Sequence, residues 1–197
     1  MLDIRPATDT LVRLVSAVGD DQLTRSTPCA GSNVAHLLDH VDGLAFAFSA
    51  AGTKTRLPLE LQAPKADAAH LTPEWRTQIP ERLEVLAGAW ADPGAWVGLT
   101  QVGGQELPGE LAGVIALNEV VVHGWDIAVA CGQPYDSEPV LVDAAIGFVA
   151  PTAAASPQGT PGLFGPPVTV SEDAPSFYRL LGLTGRDPFW GKGDSNG

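Results

Sequence analysis

The sequence predicts a mainly α protein built around a four-helix bundle. Three observations lead there. Residues 111–131, LAGVIALNEVVVHGWDIAVAC, are apolar nearly all the way round a helix, which marks a helix surrounded by others. Val34, Leu37, Leu38, Val41, Leu44, Ala45 and Phe48 recur at helical spacing, and so do Trp75, Ile79, Leu83, Leu86 and Trp90. Strand-like runs are few and short, the main one around Gly103-Gly104.

Taken in order, Leu11, Leu14, Val15 and Val18 form the apolar face of a first helix, with Thr8 or Asp9 as its cap and Gly19 as its end. Thr27-Pro28-Cys29-Ala30-Gly31 reads as a turn, after which Ser32 or Asn33 caps a second helix running to Ala51. Residues 52–72 are polar and carry prolines, so they read as a long loop. Pro73 opens a third helix, Pro80 falls inside it, and Pro93-Gly94 stops it. Residues 96–107 predict a hairpin. Pro108-Gly109 leads into the central helix, which Gly132-Gln133-Pro134 terminates. A fifth helix is expected over 139–149, then a segment rich in Pro, Gly, Ala and Ser over 151–167. An extended Val168-Thr169-Val170 and a short helix near 175–183 complete the chain. The expected organisation is a bundle domain over residues 1–150 and an extension over 151–197 packed on it.

Composition narrows the function. The chain has 197 residues, is 45% hydrophobic and 17% charged, and carries a net charge of −12, which is globular and strongly acidic. Phosphate binding needs a basic surface, so nucleic acid is not an expected partner. An anionic membrane surface is disfavoured for the same reason. The opening MLDIRPATDTLVRLV interleaves charges with apolar residues and does not read as a leader, which implies a cytoplasmic protein with reduced Cys29 and Cys131. Both thiols are expected to be small buried groups; the alternative for Cys29, which follows a proline and precedes a helix N-terminus, is a thiol of lowered pKa. Nothing in the sequence marks an oligomeric interface.

The central helix holds the chemistry. Glu119, His123 and Asp126 fall on one narrow stripe of an otherwise apolar element. Burying a carboxylate beside an imidazole is costly unless the two are paired, hydrogen-bonded or metal-bound. Glu119 and His123, one turn apart, can converge on one ion or simply bond each other. His40, at the edge of the second helix's apolar stripe, is the candidate third ligand; three protein donors with an open position is the arrangement of a catalytic rather than a structural metal. Asp126 could orient His123 as an outer partner or pair with an arginine elsewhere. His36 points further towards solvent, and His70 lies in the loop. Arg179 and Arg186 could meet an acidic substrate group or form structural salt bridges. The sequence holds no Gly-rich phosphate loop, no G-x-S-x-G elbow and no C-x-x-C pair.

Three blocks resemble a known family. Thr27-Pro28-Cys29-Ala30-Gly31 followed by Val34, Leu37 and His40 is similar to the TPC-x-G-W-x-V-x-x-L-x-x-H opening of actinobacterial DinB-like proteins. Glu119-Val120-Val121-Val122-His123-Gly124-Trp125-Asp126-Ile127-Ala128 resembles their E-x-x-x-H-G-W-D-L-A segment, and residues 180–188 resemble their LLxLxGRDP ending. This group includes the metal-binding domain of mycothiol-dependent maleylpyruvate isomerase. The resemblance implies a DinB-like four-helix bundle and a divalent metal, usually zinc, held at the positions of His40, Glu119 and His123. It further implies an enzyme using a low-molecular-weight thiol such as mycothiol on a small electrophile, as a transferase or isomerase. A metal-dependent hydrolase and a non-catalytic metal-binding module are the alternatives. Two departures stand out: Ser32 replaces the family's tryptophan, and residues 151–197 are expected to be too short to form the isomerase's second domain.

Overall fold

The structure is a computed structural model that describes residues 2–62, 65–160 and 163–191. The chain divides into two compact units, Met1–Asp136 and Ser137–Gly197. In the first unit four long helices form the bundle: α1 (Arg5–Ser16), α2 (Val34–Gly52), α4 (Trp75–Ala91) and α5 (Gly109–Cys131). Helix α2 packs on α4 and α5, and α1 packs on the same two from the other side. The one-turn helix α3 (Leu59–Gln62) and a turn of 3₁₀ helix at Ala68–His70 interrupt the long 52–72 loop.

Each bundle helix buries the stripe that its sequence spells out. Leu11 and Leu14 of α1, Leu37 and Leu38 of α2, Ile79, Leu83 and Leu86 of α4, and Leu117 of α5 are all essentially inaccessible to solvent. Asn33 caps α2, its Oδ1 accepting the His36 backbone N–H at 2.8 Å. Helix α1 starts earlier than its capping residues suggest, at Arg5, because Pro6 suits the first turn and Asp3 Oδ1 accepts the Arg5 N–H. Thr8, expected as a cap, is a buried residue inside the helix instead.

A two-stranded antiparallel hairpin, β1 (Leu99–Val102) and β2 (Gln105–Pro108), leads directly into α5. Its two-residue turn, Gly103-Gly104, has φ of 58° and 79°, the left-handed pair that lets a tight hairpin follow the strand twist. Trp90 and Trp96 then seat the start of α5. Their rings meet edge to face at 5.2 Å, and each indole N–H finds a backbone carbonyl, Phe48 O for Trp90 and Trp90 O for Trp96. Gly113 lies against both rings, so close that an added Cβ would stand 2.7 Å from Trp96 and 2.8 Å from Trp90. Gly132, with φ 70°, ends α5 in the left-handed conformation.

By length and mean hydropathy (1.5) α5 could cross a membrane, yet 78% of its most apolar window is buried inside the fold. It is the core helix of the bundle.

The second unit contains α6 (Pro139–Ala155) and α7 (Ser176–Leu183), packed on each other. Helix α6 runs past the expected end at Val149 and through Pro151, taking in the first residues of the segment read as irregular. The alanines at 153–155 are strong helix formers, and Thr152 Oγ1 bonds back to Phe148 O. The Val168 stretch is not a strand among the described residues; the Val168 N–H donates to Gly182 O at the end of α7.

Candidate metal centre

The site is built where α2 crosses α5. Leu37 and Val41 anchor α2 in the core, which leaves His40 at the edge of the packed stripe with 32% of its side chain exposed. Helix α5 supplies Glu119 and His123 one turn apart, with side chains 11% and 7% exposed. His123 Nε2 stands 3.0 Å from Glu119 Oε2, and His40 Nε2 stands 3.9 Å from the same oxygen. The two imidazole rings meet edge to face, centroids 4.9 Å apart. One donor atom from each of the three residues lies within 4.8 Å of the other two.

Behind the site, fully buried Asp126 places Oδ2 3.0 Å from His123 Nδ1. That contact occupies Nδ1 and leaves Nε2 turned towards Glu119 and His40. Tyr135, whose hydroxyl donates to Val121 O at 2.7 Å, lays its ring against Gly124, holding the backbone between Glu119 and Asp126. On the inner side, Leu11, Val41, Leu44, Ala116 and Val120 line a narrow pocket that reaches Glu119. The site therefore has an apolar inner wall, and its most exposed member is His40.

The electrostatics differ sharply between the two histidines. Burial pulls the His40 pKa down to about 4, with the neighbouring His123 charge adding to the shift and Glu119 opposing it. Burial also acts to lower His123, but hydrogen bonds and charge from Asp126 and Glu119 outweigh it and raise the pKa to about 9. At neutral pH without a metal, His123 is an imidazolium between two carboxylates, while His40 is neutral with a free lone pair.

The donors suit a divalent ion. Tetrahedral zinc with bonds of about 2.0–2.2 Å separates its ligand atoms by roughly 3.4 Å, and the two separations from Glu119 Oε2 to the histidine nitrogens, 3.0 and 3.9 Å, bracket that spacing. Two nitrogens and one carboxylate oxygen are the borderline donors that zinc accepts. A dication with a neutral His123 would also balance the Glu119 and Asp126 charges.

Other residues singled out in the sequence lie elsewhere. His36 is half-buried and belongs to neither donor cluster found among the described residues. His70 is exposed, 3.9 Å from Asp39. In the second unit, Arg179 is exposed, whereas Arg186 is buried and donates to Thr184 O at 2.8 Å. Cys29 was expected to be a small buried thiol; it is half-buried, and its sulfur joins His123 and Asp126 in a second cluster of potential donors. A cysteine in an aperiodic turn gives the sequence no signal for that placement. Cys131 is buried, as expected.

Residues 4–128 match the mycothiol maleylpyruvate isomerase N-terminal domain family. The chain belongs to that family. Two uncharacterized proteins of Mycobacterium tuberculosis, one from each of two strains, are each 28% identical to it over 135 residues, 68% of this chain and 69% of theirs. Among solved structures, the mycothiol-dependent maleylpyruvate isomerase superposes with a TM-score of 0.58 at 19% identity, over 76% of this chain and 66% of that one. A histidine-to-alanine mutant of the isomerase gives 0.60, also at 19%, over 80% of this chain and 70% of that one. At that identity the superpositions establish the shared fold. The chain spans just under two thirds of the first of these isomerase chains. The matched span, residues 4–128, contains the positions of His40, Glu119, His123 and Asp126.

Proposed function

We propose that this protein is a metal-dependent enzyme that employs a low-molecular-weight thiol of the mycothiol type, as a transferase or isomerase acting on a small electrophile. One observation carries the reading: in a member of a family named for a mycothiol enzyme, two helices bring His40, Glu119 and His123 together around one point. His40, Glu119 and His123 hold the ion, zinc by preference of the donor set, and Asp126 is a positioning residue that fixes the tautomer and orientation of His123. When bound, a divalent ion with an open position supplies a Lewis acid that keeps a thiol in its nucleophilic, deprotonated form at neutral pH. Glu119 lowers the net charge of the centre. Leu44, Ala116 and Val120 give the centre an apolar inner wall, a setting that suits a sulfur nucleophile. The partners are then a thiol and an electrophile in the cytoplasm, where such thiols are kept reduced.

The test combines elemental analysis with a thiol-dependence assay. Native protein is expected to hold one zinc or similar divalent ion per chain, and His40→Ala, Glu119→Ala and His123→Ala are expected to lose it. Turnover of an α,β-unsaturated carbonyl compound is expected only with both thiol and metal present. Wild-type behaviour in all three variants would sink the proposal, and so would turnover that ignores the thiol.

A further inference from the structure

Helix α2 carries a second functional stripe, away from the metal centre. Asp39, Asp42, Gly43 and Phe46 recur at i, i+3, i+4 and i+7, which is one face of the helix. They line a cleft of about 310 Å³, a volume within the range of small-molecule sites. Arg82 of α4 forms its second side, and Leu61 and Lys65, from the segment that follows α2, form its third. None of these residues is a donor of the metal centre or lines the pocket that reaches Glu119. The third side is held in place at both ends. The Asp67 N–H donates to Asp39 Oδ2 at 2.9 Å, with His70 Nδ1 3.9 Å from the same oxygen, and the Gly104 N–H of the hairpin turn donates to Gln62 Oε1 at 2.9 Å. Gly43 leaves the middle of α2 without a side chain at the floor of the cleft, at a cost in helix propensity.

The walls offer both signs of charge beside apolar surface. Asp42 Oδ2 is already paired, accepting from Gln78 Nε2 at 2.7 Å and from Arg82 Nη1 at 2.9 Å. That pair fixes Arg82 with its guanidinium 5.2 Å from the centre of the Phe46 ring, while its Nη2 and Nε make no hydrogen bond among the described residues. Lys65 makes no ion pair among them either. Asp39 uses Oδ2 on the loop and keeps Oδ1 for another donor. Phe46 and Leu61 are exposed large apolar side chains. A simple anion in this cleft would meet the Asp39 carboxylate, and a simple cation would meet the Arg82 guanidinium; a zwitterion meets neither repulsion. Asp39 and the Asp42–Arg82 pair are one helical turn apart, about 5–6 Å between Cβ atoms, so the two charges that they bind have to be neighbours. We propose that the cleft binds an α-amino acid with an apolar side chain, its carboxylate on Arg82 and Lys65, its ammonium on Asp39 Oδ1 and its side chain between Phe46 and Leu61. At the bottom of the range for small-molecule sites, the volume suits a single amino acid better than a peptide or a nucleotide cofactor. The site stands independently of the metal and of the thiol.

Isothermal calorimetry on the full-length protein, before and after chelation, uses L-leucine and L-phenylalanine as probes. Each is compared with its two partial analogues: isocaproate and hydrocinnamate lack the ammonium, and isoamylamine and phenethylamine lack the carboxylate. At least one of the amino acids is expected to bind once per chain with a Kd of about 1 mM or tighter, as suits a ligand of so few atoms, and to do so equally in chelated protein. Its analogues should bind at least about tenfold more weakly, because each gives up a charged hydrogen bond. Gly43→Leu fills the cleft without changing its charge and should abolish binding. Arg82→Lys keeps the pair with Asp42 but removes the spare guanidinium donors; it should weaken the amino acid about tenfold and leave the amine analogue unaffected. Four results would each overturn the proposal: no saturable binding of either amino acid, an analogue that binds as tightly as its parent, loss of binding on chelation, or an amino-acid affinity unchanged in Arg82→Lys or in folded Gly43→Leu.

Discussion

Zinc affinity should rise steeply with pH, and the reason is one proton. His123 can donate its Nε2 lone pair only after the imidazolium deprotonates, and its pKa is raised to about 9. His40, lowered to about 4, carries no such cost at neutral pH. At pH 7 His123 is two units below its pKa, so removing its proton costs about 3 kcal/mol, or roughly 100-fold in affinity. Apparent zinc affinity should therefore increase about tenfold per pH unit between pH 6 and 8 and flatten as pH approaches 9. A chromophoric chelator in competition with the protein measures this directly. Calorimetry in two buffers of different ionisation enthalpy counts the proton released; pH 6.5 is the condition to use, below the range where zinc-bound water ionises at about pH 7. One proton per zinc is expected. A flat affinity profile, or no proton released, would show that His123 is not an imidazolium in the metal-free protein, and the charge argument for the site would fail with it.

Three substitutions test the remaining parts of the construction. Asp126→Asn should leave the fold intact and lower the His123 pKa, so that zinc affinity climbs less steeply with pH, and near pH 9, where the proton cost has gone, it should bind zinc about 10–100-fold more weakly than wild type, the range for outer partners of metal ligands; an unchanged pH profile would remove Asp126 from its positioning role. Gly113→Ala drives a methyl group to within 2.7–2.9 Å of two hydrogen-bonded tryptophans, an overpacking that should cost about 1–3 kcal/mol in chemical denaturation. Asn33→Ala removes the cap that α2 places just before its metal-site face, and should cost about 1 kcal/mol with little change in zinc affinity, since His40 lies almost two turns further on.

Much of the fold was legible because its signals are periodic. The stripes of α2 and α4 and the apolar surface of α5 each imply burial in one way only, and the Gly-Gly turn is a strong local instruction. Boundaries were harder wherever proline has two readings. Pro6 falls in the first turn of α1, ahead of the caps that the sequence offers, and Pro151 lies inside α6 although its neighbours' composition points to an irregular segment. The convergence of His40, Glu119 and His123 could be inferred because charged groups on an otherwise apolar helix are costly, and that cost has to be met by a partner in space. Asp126 was ambiguous between an arginine and His123; its position three residues along, with Oδ2 at 3.0 Å from Nδ1, depends on side-chain rotation that spacing does not give. Cys29 is the clearest case of what pattern cannot show. Its place beside His123 comes from the path of a turn, and no period in the sequence encodes that path.

The two histidines also make the metal-free protein a test of the site that needs no metal. His123 has a folded pKa of about 9, above its ordinary 6.5, so its contribution to stability is complete below pH 6.5 and is lost as pH rises towards 9. His40 has a folded pKa of about 4, so the unfolded chain binds more protons between pH 4 and 6.5 and stability falls as pH drops through that window. The first effect amounts to roughly 3 kcal/mol, while the second is smaller because the partly exposed His40 is screened by solvent. Together they give metal-free protein a stability maximum near pH 6.5, measurable by urea denaturation after chelation. Saturating zinc should shift that maximum upwards, because the metal binds the deprotonated His123 and its affinity grows over the same range in which the imidazolium's contribution fades. Replacing His123 with glutamine should abolish the alkaline fall, and a fall that persisted in that variant would assign it to groups outside the site.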